Sequence, residues 1–156
     1  MRRGHGPADI VNFLKENGVA YKYYEFTGGV RTVEEAAKKL GCSPSDIAKN
    51  IVFSVDRECI VVICRGDRKV SLKKLSSLLG QEVRLASREE VFKATGYQVG
   101  GVPPFNHADK LRVLIDARVL EKSEIITSGG SPNVLISLRT NDLIRLSGGE
   151  VADISE

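Results

Sequence analysis

The stretch NIVFSVDRECIVVIC, residues 50–64, contains two apolar runs separated by a short polar segment. Residues 50–55 and 59–64 are rich in β-branched side chains, which favour strands. Asp56 and Arg57 lie between the two runs and indicate a turn. The second run is apolar at every position, which is typical of a strand covered on both faces. The sequence therefore predicts a β-hairpin whose second strand is central in a sheet.

Helix signals occur on both sides of this hairpin. Thr32 and Glu35 have the spacing of a capping box, and Ser87 and Glu90 repeat it. We expect helices over residues 7–17, 32–41, 43–49, 71–80, 87–95 and 141–146. We expect further strands over residues 19–26, 82–85, 112–116, 124–127, 133–138 and 150–154, with residues 129–132 as an interruption between two of them.

The order of these elements indicates the fold class. Helices and strands interleave, but the hairpin and the closely spaced late strands favour a mixed, mainly antiparallel sheet. Such a sheet with surrounding helices is an α+β fold rather than a doubly wound one. The chain has 156 residues, of which 42% are hydrophobic, and this suits one core of useful size. We therefore expect residues 1–156 to form a single domain.

Charge and cysteine content limit the setting in which the protein works. The net charge of +3 permits an RNA partner without requiring one. Cys42, Cys59 and Cys64 form no C-x-x-C pair and are odd in number, which favours a reducing compartment. Cys59 and Cys64 lie in apolar strand segments, where we expect them to be buried.

No apolar run approaches the roughly 18 residues that a membrane span needs, and residues 1–20 lack the apolar region of a signal peptide. We expect a cytoplasmic protein with neither a membrane partner nor a DNA partner.

Familiar catalytic and cofactor motifs are absent from the sequence. His5 and His107 are too far apart for a zinc-binding pair such as H-E-x-x-H. There is no G-x-S-x-G elbow, no P-loop and no dinucleotide-binding glycine fingerprint. We therefore expect no metal and no cofactor, and the dehydrogenase, kinase and serine hydrolase classes lose their main support.

A loop rich in glycine and proline, GYQVGGVPPFN at residues 96–106, is the first candidate for a binding element. Its two adjacent glycines let the backbone approach a ligand without a Cβ in the way, and its two prolines stiffen the same turn. The loop can present backbone N–H groups to a ligand, or it can be a tight surface connection. Further glycine pairs occur at residues 28–29, 129–130 and 148–149. A backbone-lined cleft would form if two or three of the pairs converge in space.

Lys49 is the second candidate, at the junction of the predicted short helix and the first hairpin strand. A lysine in the last turn of a helix is favoured by the helix dipole, so an exposed structural lysine is one interpretation. The other interpretation is a positive charge aimed into a cleft beside the sheet, where it would bind an oxyanion or a phosphate. Position alone leaves both interpretations open.

Several segments occur in the order found in one known family. They are RTVEEAAKKLG at residues 31–41, IAKNIVF at 47–53, GDRKVSL at 66–72 and GYQVGGVPPF at 96–105, with late strands at 112–116 and 151–154. From about Val19 to the C-terminus, the sequence resembles the YbaK and prolyl-tRNA synthetase editing-domain family of aminoacyl-tRNA deacylases. The second segment resembles the one that carries the family's near-invariant lysine, here Lys49. The fourth is similar to the family's G-x-x-x-P loop, here Gly100 to Pro104.

The resemblance implies a mixed, partly closed β-sheet with helices packed around it, and ester hydrolysis without a metal or a covalent intermediate. It implies catalytic roles for Lys49, Gly100 and Gly101. The lysine would pair with the terminal phosphate or the ester carbonyl, and the loop backbone would hold the carbonyl and a water. The implied substrate-binding residues are Asn50, Val102, Pro104, Phe26, Val30, Gly129, Gly130 and Ser131.

The implied reaction is trans-editing, the hydrolysis of the aminoacyl ester on a mischarged tRNA. The tRNA would be tRNA-Pro or a similar tRNA carrying cysteine, alanine or serine/threonine. The implied partners are the acceptor end of the aminoacyl-tRNA and an aminoacyl-tRNA synthetase. One departure matters, because residues 128–133 read SGGSPN and lack a histidine that some members carry before the proline. The specificity of that branch is therefore not assigned, and His107, in a different part of the chain, does not replace it.

Two other classes of function stay open. One is a non-catalytic tRNA- or synthetase-binding module of the same fold, and the other is a small-molecule binder that uses the same cleft. Lys73 and Lys74, with Arg68 and Lys69 beside them, could meet tRNA phosphates or could form an ordinary solvated helix face.

Overall fold

The computed structural model describes residues 4–156, which form five helices and eight strands. The helices are α1 (Pro7–Glu16), α2 (Val33–Leu40), α3 (Leu72–Leu79), α4 (Arg88–Thr95) and α5 (Thr140–Ser147). The strands are β1 (Tyr21–Glu25), β2 (Ala48–Val55), β3 (Glu58–Arg65), β4 (Arg84–Leu85), β5 (Arg112–Asp116), β6 (Glu124–Ser131), β7 (Val134–Arg139) and β8 (Glu150–Ala152). Two short 3₁₀ helices, Pro44–Asp46 and Ala117–Glu121, precede β2 and follow β5.

The strands form two sheets, and the α+β class with a mixed, mainly antiparallel arrangement is confirmed. A three-stranded antiparallel sheet has the order β1-β7-β6, and a five-stranded mixed sheet has the order β4-β2-β3-β5-β8. In the larger sheet β5 runs parallel to both β3 and β8. Within residues 4–156 neither sheet closes on itself, unlike the partly closed sheet that the resemblance implied, and a single bridge between Ile47 and Ile126 joins them.

The predicted hairpin forms the middle of the larger sheet. β2 and β3 pair from Ala48 opposite Arg65 to Val55 opposite Glu58. Asp56 and Arg57 have φ values of 47° and 69°, which is the backbone that a two-residue hairpin of type I′ needs. Residues 61–64 are fully buried, as expected of a central strand.

Three apolar clusters hold the elements together. The largest lies between the two sheets and includes side chains of α1, among them Ile10 and Leu14. A second lies under α3 around Leu75. The third is small and lies under α2, where Ala36 and Ala37 pack near Ile47. This third cluster borders the site described below.

Two of the boundaries predicted from the sequence are wrong at places that affect the site. The short helix after Ser43 ends at Asp46 instead of Lys49, because the chain there enters the bridge with Ile126 and then β2. The strand expected to end at Thr127 continues through Ser131 with a shift of register after Ser128. The glycines of this segment therefore belong to β6 instead of interrupting the strands.

Asp116, at the end of β5, anchors the C-terminal segment. Its side chain is fully buried, and Oδ1 accepts from the backbone N–H groups of Ile154 and Ser155, each at 3.0 Å. The Ser155 hydroxyl donates to Oδ2 at 2.8 Å, and Arg118 pairs with the same carboxylate. Burial by itself raises the pKa of Asp116, but these hydrogen bonds and the arginine hold the pKa below its ordinary value.

We expect Asp116→Asn to lower the free energy of unfolding at pH 7 by roughly 2–3 kcal/mol, because buried donors lose a charged acceptor. A group with a lowered folded pKa stabilises the native state above its unfolded pKa, about 3.9, and stops doing so as the pH falls through the folded value. The difference between the variant and the wild type should therefore shrink below about pH 4. Urea unfolding from pH 7 to pH 3 measures it. Glu150→Gln, which breaks an exposed pair with Arg112, is the matched control and should change little.

Candidate functional site

A pocket of about 170 Å³ lies where the two sheets diverge. The beginning of β2 and the end of β6 form two of its sides, and the start of α2 and the loop at residues 100–102 form the others. Its lining residues are Val30, Arg31, Thr32, Val33, Ala36, Ile47, Ala48, Lys49, Asn50, Gly100, Val102, Ser128, Ser131, Pro132 and Leu135. The volume is below the roughly 300–1,000 Å³ of sites for drug-sized ligands, so the pocket suits a small group.

The two sheets diverge because the two ends of one edge of β2 pair with different strands. Ile47, directly before β2, pairs with Ile126 of β6, whereas Phe53 and Ser54 at the far end pair with β4. Between these two contacts, no strand among residues 4–156 pairs with this edge of β2. Asn50 lies in this interval and reaches across it.

Lys49 is the second residue of β2 and is half-buried. Because side chains alternate along a strand, it shares a face with Ile47, which belongs to the cluster under α2. Its neighbour across the hairpin is the buried Cys64. The strand therefore places Lys49 beside the cluster under α2, and Lys49 is one of the residues that line the pocket. The expectation that Lys49 ends a helix and is favoured by the helix dipole is wrong.

The side chain of Asn50 forms hydrogen bonds with the glycine- and proline-rich loop and with β6. Its Nδ2 donates to the carbonyl of Val102 at 2.9 Å and to the hydroxyl of Thr127 at 2.8 Å. Because a carbonyl can only accept, the bond to Val102 fixes which end of the amide is the nitrogen. The carbonyl oxygen Oδ1 is buried and has no hydrogen-bond partner among residues 4–156.

The glycine- and proline-rich loop is held close to β6. A Cβ on Gly101 would lie 2.7 Å from the Cα of Ser131, so only glycine fits at this contact. The N–H of Gly101 donates to the carbonyl of Gln98 at 2.9 Å. The N–H groups of Gly100 and Val102 have no partner in the part of the chain that the structure describes.

His107 and Asn106 tie the far end of this loop. His107 Nε2 lies 2.7 Å from the carbonyl of Pro103. Burial lowers the pKa of His107, and the bond to Pro103 opposes that effect. Asn106 donates to the hydroxyl of the buried Tyr97 at 3.1 Å. His107 therefore supports the loop from outside the pocket.

Three of the four glycine pairs converge at the turn after β6. Gly29 lies against Asn133, Gly101 lies against Ser131, and residues 129–130 form the end of β6 itself. The fourth pair is elsewhere, because Gly149 packs on Ile115. Of the glycines in these three pairs, Gly100 is the one that lines the pocket in the described part of the chain, so a cleft lined by several glycine pairs stays a prediction.

The structure places some of the predicted site residues in the lining of the pocket and others outside it. Six of the predicted residues line the pocket: Lys49, Gly100, Asn50, Val102, Val30 and Ser131. Five do not: Gly101, Pro104, Phe26, Gly129 and Gly130. Pro104 is buried within the loop, and Gly129 packs on Val134 inside the core. The ring of Phe26 lies 5.6 Å below the ammonium of Lys39, outside the pocket.

Several lining residues were not predicted from the sequence. Ser128 and Leu135 lie on neighbouring strands, and their alternation with buried residues was a usable signal once β6 was recognised as one long strand. Arg31, Thr32 and Val33 come from the start of α2, where Thr32 accepts the N–H of Glu35 at 3.0 Å. Only the tertiary fold places this helix start at the pocket.

The electrostatic character of the pocket is positive. Arg31 and Lys49 are its charged lining residues, and no aspartate or glutamate lines it within the described chain. The N-terminus of α2 adds a partial positive charge. The pocket can therefore hold an anionic or strongly polarised oxygen against an apolar floor.

Cys64 is not available as a nucleophile beside this pocket. It is fully buried, and burial raises the pKa of its thiol to about 11, although Lys49 acts in the opposite direction. We expect iodoacetamide at pH 8 to leave Cys64 unmodified in the folded protein and to alkylate it in denaturant, because the thiolate is the reactive form. Peptide mass spectrometry measures the labelling, with the half-buried Cys42 and Cys59 as internal controls. Rapid labelling of Cys64 in the folded protein would contradict the buried placement.

The basic residues considered for tRNA phosphates have different surroundings. Lys74 pairs with Asp153 at 2.9 Å, and Arg68 donates to the Ser155 hydroxyl at 3.0 Å. Both therefore help to hold the C-terminal segment. Lys69 and Lys73 are exposed. Their contact with a phosphate stays a prediction.

The described residues give two further findings. None of the helices in residues 4–156 is long and apolar enough to cross a membrane. No group of three or more His, Cys, Asp or Glu side chains in that part of the chain is placed to hold a metal ion.

Comparison with known proteins identifies the family. A family model described as the aminoacyl-tRNA editing domain matches residues 27–146. The chain therefore belongs to the aminoacyl-tRNA editing domain family, and the resemblance found in the sequence is confirmed. YwhH of Bacillus subtilis, an uncharacterized protein, is 33% identical over 143 residues, which are 91% of this chain and 88% of YwhH.

Synthetases and solved structures are also similar. The proline–tRNA ligase of Aquifex aeolicus is 31% identical over 132 residues, which are 83% of this chain but only 23% of the ligase. A crystal structure described as a proposed trans-editing enzyme for prolyl tRNA synthetase has a TM-score of 0.89 and 31% identity, with 96% of both chains covered. The crystal structure of hypothetical protein APE2540 has a TM-score of 0.87 and 32% identity, covering 95% of this chain and 99% of that one.

Proposed function

We propose that the protein hydrolyses the ester bond of mischarged aminoacyl-tRNA in trans. The observation that carries this proposal is the pocket in which Lys49, Gly100 and Val102 meet, in a chain that belongs to an aminoacyl-tRNA editing family. Its positive lining and small size suit an aminoacyl ester on the terminal adenosine. Such a substrate combines a phosphate, a polarised carbonyl and a small side chain.

The proposed reaction needs a placed water and donors for the developing oxyanion. Water adds to the ester carbonyl carbon, and negative charge develops on the carbonyl oxygen. The unpartnered N–H groups of Gly100 and Val102 are the candidate donors to that oxygen. Because the N–H of Gly101 is engaged by Gln98, we assign Gly101 the close packing of the loop on β6 instead of a donor role.

Lys49 supplies the positive charge in this scheme. It pairs with the terminal phosphate or with the ester carbonyl, and either contact orients the ester against the loop. The C–O bond to the ribose then breaks, and the ribose oxygen takes up the proton released by the water. The vicinal ribose hydroxyl assists by holding the water, which fits a pocket lined by neither histidine nor carboxylate in the described chain.

The side chain of the amino acid would lie against the floor formed by Val33, Ala36 and Leu135. A cavity of about 170 Å³ that also receives the ester has room for a small side chain such as that of alanine, cysteine, serine or threonine. The similarity to part of proline–tRNA ligases makes tRNA-Pro the first substrate to test and a prolyl-tRNA synthetase the first partner to test.

A panel of aminoacyl-tRNAs, matched and mismatched, tests the proposal. We expect release of one or a few small amino acids from tRNA-Pro and little release of proline. Binding of tRNA without release from any member would instead indicate a non-catalytic module. A tight complex with a free amino acid or nucleotide, unaffected by tRNA, would indicate a small-molecule binder.

A further inference from the structure

Asn50 lines the pocket, and its buried oxygen Oδ1 is a polar group that the proposed reaction has not used. It has no hydrogen-bond partner within residues 4–156. A buried acceptor without a partner costs about 1–3 kcal/mol. A ligand that brings a donor to this position therefore gains more from the contact than it would at an exposed acceptor.

The orientation of this oxygen is fixed by the fold. Asn50 Nδ2 is held by the carbonyl of Val102 and by the hydroxyl of the fully buried Thr127. An amide flip would place oxygen against the Val102 carbonyl, which cannot donate, so the observed orientation is the only one that satisfies Val102. Oδ1 is thus held as an acceptor on a lining residue of a pocket that also carries the cations of Arg31 and Lys49.

The proposed substrate has one group that requires such an acceptor. The α-amino group of an aminoacyl ester carries at least two N–H donors in either protonation state. In most sites an ammonium is met by a carboxylate, but none lines this pocket in the described part of the chain. Because Arg31 and Lys49 are positively charged, they cannot accept a hydrogen bond from the α-amino group, and an uncharged acceptor is needed to bind it.

We infer that Asn50 Oδ1 accepts a hydrogen bond from the α-amino group of the aminoacyl ester. Asn50 thereby distinguishes aminoacyl esters from esters that lack this group. The inference rests on the proposed function, because it assigns a contact within the same reaction. It gives the site a means of selecting the backbone of the substrate separately from its side chain.

A comparison of two esters isolates this contact from the structural role of Asn50. The first ester is the aminoacyl-tRNA that the panel identifies, and the second is the same tRNA carrying the α-hydroxy acid with the same side chain. The preference is the ratio of their kcat/KM values. We expect Asn50→Ala to reduce this preference by about 10-fold, the factor for one hydrogen bond, whatever it does to the two rates together.

Two further variants serve as controls. Thr127→Val removes a neighbour of Nδ2 and leaves Oδ1 in place, so it should change both rates alike and leave the preference unaltered. Asn50→Asp disturbs the contact with Val102 but keeps an acceptor, so it should retain or increase the preference even as both rates fall. The inference predicts that the preference falls in Asn50→Ala but is retained or increased in Asn50→Asp. The aspartate variant therefore tests the inference even if Asn50→Ala folds poorly.

The outcomes separate the inference from the proposed function. If wild-type protein hydrolyses neither ester, the proposed function fails. If it hydrolyses the aminoacyl ester and Asn50→Ala leaves the preference unchanged, only the inference is overturned, and Asn50 then orders the loop or the attacking water. A preference lost in Asn50→Asp would overturn the inference in the same way.

Discussion

Lys49→Ala is expected to lower kcat/KM for the edited aminoacyl-tRNA by about 10²–10³-fold, the range for removing one group that stabilises an oxyanion. The lysine is the charged side chain that β2 contributes to the pocket, and no acidic residue neutralises it there within the described chain. Removing it leaves the ester without an electrostatic partner on that side. Single-turnover hydrolysis with enzyme in excess measures the chemical step without product release.

We expect Lys49→Ala to lower the rate of hydrolysis without lowering the stability of the folded protein. Lys49 is half-buried at the start of β2, and the strand pairing on either side of it is formed by backbone groups. We therefore expect the midpoint of urea unfolding to change little. Lys15→Ala, at an exposed position in the last turn of α1, is the matched control for a general loss of positive charge and should reduce the rate only slightly. A folded Lys49→Ala protein with the wild-type rate would show that the proposed catalytic site is wrong.

Lys49→Arg separates the two contacts proposed for the lysine. Arginine keeps the charge but spreads it over a planar fork, which matches a phosphate better than a single carbonyl oxygen. If the lysine binds the terminal phosphate, KM should be retained in the arginine variant. If it binds the carbonyl oxygen, kcat should fall nearly as far as in the alanine variant.

The hairpin could be predicted from the sequence because its signals are local. An apolar run in residues 59–64 and a polar two-residue turn are sufficient to specify a buried strand and its reversal. The position of Lys49 within an element could not be predicted in the same way. Ser43 and Pro44 do start a helix, but the bridge between Ile47 and Ile126 ends it early. That bridge joins segments about 80 residues apart, and no local pattern encodes it.

Some of the residues that line the pocket could be predicted from the sequence, and others could not. The sequence motifs identified Lys49 and the loop at residues 100–102, which carry the polar groups. Arg31 lies just before α2 and Leu135 lies in β7, and they meet at the pocket only because the three-stranded sheet packs under α2. Gly130 was assigned to substrate binding because the family resemblance implied that the glycine-rich segment at residues 128–133 binds the substrate. Its missing Cβ instead makes room for the backbone of Gly6 and Pro7 at the start of α1.

Gly101→Ala is expected to abolish most of the activity while leaving the protein folded. The new Cβ would lie 2.7 Å from the Cα of Ser131 and 3.0 Å from its carbonyl carbon, both of which are backbone atoms that cannot rotate away. The loop must then move away from β6. The N–H groups of Gly100 and Val102 move with it, and a displacement of about 1 Å at a catalytic group can cost about 100-fold in rate.

Gly148→Ala provides the contrast for this loop variant. Gly148 ends α5 with φ 65°, and its missing Cβ faces open space, so alanine there meets only backbone strain. We expect it to lower the stability by about 1 kcal/mol and to leave kcat/KM unchanged. Gly101 lacks a positive φ, so alanine there meets only the steric contact with Ser131. Activity lost in Gly101→Ala and kept in Gly148→Ala would therefore mean that catalysis depends on how closely the loop approaches β6, and equal activity in both would mean that the loop does not carry the reaction.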